Sequence, residues 1–165
     1  MDKTTFAIAA VAGVMAAGAY GLPASAQAPP PPIVGEPLTT RAVFADDIGL
    51  TFKLKLHGSG TDVIDVKNPS STAIVRYTVQ PGAYFPWHTH TGPVVVNVVS
   101  GALTYVGAED CAQRTYAAGQ AFVDPGQGHV HTAFNPTNVP TVLVAAFFHA
   151  PAEGPLLIPA APGHC

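Results

Sequence analysis

Between Gly49 and His57 the chain alternates strictly. Leu50, Phe52, Leu54 and Leu56 fall on one side, and Thr51, Lys53, Lys55 and His57 on the other. A period of two marks a strand with one buried face. Further short strands are predicted at Asp62–Lys67, Ala73–Gln80, Phe85–His90, Val94–Ser100, Ala102–Val106, Ala121–Val123, His129–Phe134 and Thr141–His149. Turn formers separate them: Gly58-Ser59-Gly60, Asn68-Pro69, Pro81-Gly82, Gly92-Pro93, Ser100-Gly101, Gly119 and Pro125-Gly126. Thr39–Asp47 carries no clear signal, and no helical period follows it. Many short strands at this spacing predict one all-β domain, a sandwich or barrel, over residues 46–150.

The two ends read differently. Residues 27–45 form a Pro-rich linker, with Pro29 to Pro32 in a row, expected to be extended and mobile. Residues 151–165 carry Pro151, Pro155, Pro159 and Pro162 and are expected to run irregularly over the surface. Residues 1–26 resemble an export signal: Lys3 and the amine are followed by uncharged Phe6–Leu22 and then Ala24-Ser25-Ala26. Ala26-Gln27-Ala28 also suits a peptidase, but a cut there leaves Pro29 next, where peptidases work poorly. Cleavage after Ala26 is therefore expected, giving a secreted or periplasmic protein with no stable membrane span. The alternative is an uncleaved anchor, but the stretch is mildly apolar and at the short limit for a spanning helix.

Composition narrows the field. Of 165 residues, 48% are hydrophobic and only 10% charged, with 16 Gly and 17 Pro, which argues against a helical bundle. The net charge is −3, and the seven Lys/Arg are scattered, so no nucleic-acid partner is expected. Nucleophile-elbow, phosphate-loop and dinucleotide motifs are absent.

The chemistry concentrates in histidine. His88-Thr-His90 lies in a strand-like run, and residues two apart on a strand share a face, so both imidazoles can reach one ion. His129-Val-His131 repeats the spacing about forty residues later. Two such pairs in one all-β domain suggest strands converging on a single centre. The acids Asp46, Asp47, Asp62, Asp65, Glu109, Asp110 and Asp124 fall mainly at turns and strand ends and read as solvated surface charge. His57, His149 and His164 are isolated and read as non-ligands.

These residues resemble the cupin pattern. Its first motif is G-x5-H-x-H-x(3,4)-E-x6-G. Gly82-Ala-Tyr-Phe-Pro-Trp-His88-Thr-His90 matches the start, and Gly101 the end. Its second motif is G-x5-P-x-G-x2-H-x3-N. Gly119 and Pro125 match in place, while Gly128, His131 and Asn135 each lie one position late, as one residue inserted after Pro125 would produce. The resemblance spans about Leu50 to Cys165. It implies a double-stranded β-helix, the jelly-roll barrel, with a metal near its mouth. It also allows a homodimer paired through barrel edges. One departure stands out: Val94 occupies the position of the family's Glu, and Val95 and Val96 offer no substitute.

The ligand set this implies is His88, His90 and His131, with His129 as a candidate fourth. Three neutral imidazoles leave a divalent ion its full charge of about +2, and such a donor set suits Fe, Zn, Cu, Ni or Co better than Mn or Mg. Phe85, Trp87, Tyr84 and Phe134 flank the ligands, as barrel packing or as the wall of a small-molecule pocket. Tyr77 and Tyr105 are candidate proton donors. Three functions stay open: a metal-dependent small-molecule enzyme, of oxygenase or lyase/isomerase type, a metal- or ligand-binding protein without turnover, and a purely structural metal-free barrel. Cys111 and Cys165 are the only cysteines, and in an oxidising compartment they are expected to form one disulfide tying the tail to the loop between the motifs.

Overall fold

The protein is described by a computed structural model covering residues 32–55, 60–162 and 164–165. The export signal, the start of the linker and His57 lie outside the described residues. The all-β reading holds. Thirteen strands occur among the described residues: β1 (Ile33–Pro37), β2 (Ala42–Val43), β3 (Gly49–Lys55), β4 (Thr61–Lys67), β5 (Ser71–Val79), β6 (Tyr84–Thr89), β7 (Val94–Ser100), β8 (Ala102–Gly107), β9 (Gln113–Ala117), β10 (Ala121–Asp124), β11 (His131–Phe134), β12 (Thr141–Phe148) and β13 (Ile158–Pro159). No helix among the described residues is long and apolar enough to cross a membrane.

Two sheets carry the jelly roll. One runs β1-β5-β12-β7-β10 with β2 also on β5, the other β13-β6-β11-β8-β9, and β3-β4 form a separate hairpin. Alternation decides what each strand buries. On β7, Val94, Val96 and Val98 point inward, and on β12 Leu143, Ala145 and Phe147 do the same. With Val75, Val79, Phe85 and Leu103 they make the core between the sheets.

Three segments depart from the sequence reading. Ile33–Pro37, placed in the linker, is a strand paired with β5 from Ile33↔Val79 to Pro37↔Val75. An edge strand tolerates prolines because one side of its backbone needs no partner. Gln113–Ala117 is also an edge strand, on β8, and its polar sequence hides it. Ile158–Pro159 of the tail pairs with Thr89 and His88 of β6. The expected strand at His129–Phe134 begins only at His131. Gly126, Gln127 and Gly128 all have positive φ (64°, 51° and 94°), and this left-handed turn absorbs the residue by which the second motif is long.

A three-histidine cluster at the mouth of the barrel

His88 and His90 come from β6 and the residue just past it, and His131 opens β11. The strands pair with His131 opposite His88. The register slips next to this pair, since Ala133 faces Phe85, so β6 carries one extra residue where Pro86 lies. Proline suits such a bulge because it has no N–H to leave unpaired. The bulge puts Phe85 and His88 on the same inner face although they are three apart.

The three imidazoles are 5%, 6% and 4% exposed, in chain order. Ring centroids lie 4.1 Å apart for His88–His131, 4.9 Å for His88–His90 and 5.2 Å for His90–His131. One ligating nitrogen of each lies within 4.8 Å of the others. The Nδ1 atoms of all three face oxygens. His88 Nδ1 donates to the Pro86 carbonyl at 2.6 Å, and His90 Nδ1 donates to the Leu156 carbonyl of the tail at 2.8 Å. His131 Nδ1 lies 2.9 Å from Asp124 Oδ2, though out of line for a straight hydrogen bond. A carbonyl can only accept, so Nδ1 holds the proton and Nε2 keeps the lone pair in His88 and His90. This arrangement fits a metal ion.

Burial reinforces it. Desolvation, helped by the neighbouring His131, pushes His88 down to about 3 against the weaker pull of the Pro86 bond. Burial likewise lowers His90, opposed by Asp124 and the Leu156 bond. These two rings are therefore neutral, with lone pairs available, at ordinary pH.

Asp124 corrects the surface-charge reading: it is only 1% exposed. Burial alone would raise its pKa, but the contact with His131, the nearby His90 ring and the Tyr105 hydroxyl outweigh that and hold it below the ordinary carboxylate range. Tyr105 donates to Asp124 Oδ2 at 2.9 Å, and Gly126 N–H donates to Oδ1 at 2.8 Å. Gly126 is required there: a Cβ at its φ of 64° would meet the Gly92 carbonyl at 2.1 Å. Asp124 stands two residues after Phe122 on one strand, and both line the cavity. Tyr105 lies flat against His131, with centroids 5.0 Å apart, and burial together with Asp124 pushes its hydroxyl pKa up.

His129 is not part of the cluster. It lies in the turn before β11, half-exposed, with Nδ1 3.2 Å from Glu109 Oε1. The expected parity with His131 fails because the strand starts two residues later. His149 accepts from Ser70 N–H and His164 is exposed, both away from the cluster. Val94 is 2% exposed and lines the cavity beside the histidines. Of the four flanking aromatics only Phe85 lines it, joined by Tyr77, Tyr105, Phe122 and Phe147, while Tyr84 is 66% exposed.

The cavity holds about 50 Å³. That admits an ion with a few water-sized molecules, each needing roughly 10–15 Å³ of such space. Among its described lining residues Asp124 is the one carboxylate, and there is no lysine or arginine. Leu157 of the tail closes one side. Cys111 and Cys165 form the expected disulfide, with a Cα–Cα distance of 5.4 Å.

Residues 75–147 match the Cupin domain family, and this segment, which carries both histidine motifs on a jelly roll, is a cupin domain. Among solved structures it is similar to a conserved protein with a double-stranded β-helix domain from Klebsiella pneumoniae, at 22% identity over 54% of this chain and 76% of that one, TM-score 0.46. It is also similar to the cupin domain of a transcriptional regulator from Enterobacter cloacae, at 19% identity over 73% of this chain and 99% of that one, TM-score 0.47. A third is the polyketide cyclase RemF from Streptomyces resistomycificus, at 18% identity over 56% and 63% respectively, TM-score 0.46. No curated protein matches the chain.

Proposed function

We propose that this cupin binds one divalent transition metal through His88, His90 and His131 and uses it as an enzyme acting on a small molecule, of oxygenase or lyase/isomerase type. The observation that supports it is the placement of the rings: each Nδ1 faces an oxygen, and one nitrogen of each ring lies within 4.8 Å of the others. When bound, the ion supplies a Lewis acid, and with Fe or Cu also one-electron chemistry. The chain's own residues do the rest. Phe85, Val94, Leu143 and Phe147 keep bulk water off the centre. Without a basic side chain in the cavity nothing there would bind an anionic tail, so the substrate is small and neutral, or reaches the ion from the mouth by displacing Leu157. Tyr105 donates to Asp124 and is not free as a proton donor. The 1–26 signal pattern and the paired cysteines support export, with the mature chain starting at Gln27.

The small cavity favours a second reading, a metal-binding cupin without turnover. Elemental analysis of the purified protein, followed by oxygen uptake against a panel of small neutral substrates, separates them. One bound metal per chain with substrate-dependent turnover is expected. One metal with no turnover leaves the second reading, and a metal-free protein refutes both.

A further inference from the structure

Val94 and Asp124 are cross-strand partners in the β7–β10 pair. Val94 stands where the family pattern has Glu, and Asp124 faces it from the neighbouring strand at the same level of the barrel. Both are buried, at 2% and 1% exposure. A buried carboxylate needs a countercharge, and a buried charge is normally paired or tied to a metal. No lysine or arginine lines this cavity among the described residues. The donors on Asp124 from Tyr105 and Gly126 are neutral, and its remaining contact is His131.

We infer that Asp124 is the carboxylate of this metal site, supplied from β10 in place of β7, and that it acts through His131 rather than on the ion. The inference rests on the metal reading above. A carboxylate at Nδ1 draws on the N–H proton and makes Nε2 a stronger donor. The acceptors for His88 and His90 are carbonyls without net charge, so His131 becomes the strongest of the three ligands. The ion and Asp124 together carry about +1, the charge a Glu ligand would give, yet no coordination position is used. A position that Glu fills elsewhere in the family stays open here against the apolar wall of Val94. Asp124 is thus a positioning residue, and the site binds a neutral ligand at a centre of reduced charge.

The test is Co(II) affinity of the full mature chain, by chelator competition, with the Co(II) absorption spectrum as a second readout. The parent should bind one Co(II). Asp124→Asn keeps one acceptor oxygen for Gly126 N–H, and its amide nitrogen can donate to the Tyr105 hydroxyl in reversed sense, so it should fold and keep the parent spectrum, with affinity lower by about ten- to a hundredfold. Val94→Glu combined with Asp124→Asn should recover the affinity with an altered spectrum, as a carboxylate enters the ligand set. Unchanged affinity in folded Asp124→Asn overturns the inference, and so does an altered spectrum in that variant, which would make Asp124 a direct ligand. If Asp124→Asn does not fold, Tyr105→Phe decides. It frees Oδ2 for His131 and should raise the affinity, whereas an equal or lower affinity overturns the inference. A parent that binds no Co(II) instead refutes the metal reading itself.

Discussion

Breaking the Cys111–Cys165 bridge should loosen the fold much more than the metal site. The cysteines are 54 residues apart, and the chain-entropy relation assigns about 4 kcal/mol to a loop of that length. This is an upper value, because the relation neglects structure left in the unfolded chain. The folded tail has other anchors. Ile158–Pro159 pairs with β6, Ala160 N–H donates to the Trp87 carbonyl at 3.0 Å, and Arg41 donates to the carbonyls of Pro151 and Gly154. These keep the tail in place at low temperature, so the loss appears mainly in global unfolding. For a domain of this size roughly 3 °C of melting temperature corresponds to each kcal/mol. Cys111→Ser/Cys165→Ser should therefore melt about 6–12 °C below the parent in chelator-treated samples followed by circular dichroism. Metal affinity should fall only slightly, because the remaining anchors still hold the Leu156 carbonyl that orients His90. A change of melting temperature under about 2 °C, or two alkylatable thiols in the unreduced parent, would refute the reasoning.

The remaining predictions are briefer. Elemental analysis should find no stoichiometric metal in His88→Ala or His131→Ala and full occupancy in His129→Ala and His149→Ala, because only the first two belong to the cluster. Val94→Glu should bind Mn(II) more tightly than the parent, since a carboxylate suits that ion, and should lower the apo melting temperature by burying an uncoordinated charge. Identical melts of this variant with and without Mn(II) would show that Val94 does not face the ion. Tyr77 is pushed up to about 12 by burial, against about 10 in an unfolded chain. Its neutral form is favoured by folding, so that contribution is complete below pH 10 and is lost as pH rises toward 12, on the order of 2 kcal/mol. Urea midpoints across that range should fall less steeply in Tyr77→Phe, and parallel curves would count against burial as the cause.

Much of this architecture is legible along the chain because alternation is a local property. Side chains two apart share a face whatever the sheet does elsewhere, so the inner rows of β3, β5, β7 and β12 and the common face of His88 and His90 can be read without knowing their partners. Counting alone pairs Cys111 with Cys165, and the gap in the first motif exposes Val94 as a missing carboxylate. What the chain could not show is set by neighbours distant in sequence. Asp124 looks like a turn acid, and only Val94 and Tyr105 on other strands make its position a buried one. His129 shares the parity of His131 on paper, but the left-handed turn at 126–128 delays the strand and leaves it outside. Ile33–Pro37 and Ile158–Pro159 become strands because β5 and β6 offer them open edges, not through any propensity of their own. Backbone geometry determines which face a residue occupies. Whether that face meets water, a histidine or another strand depends on contacts that form only when the sheets close.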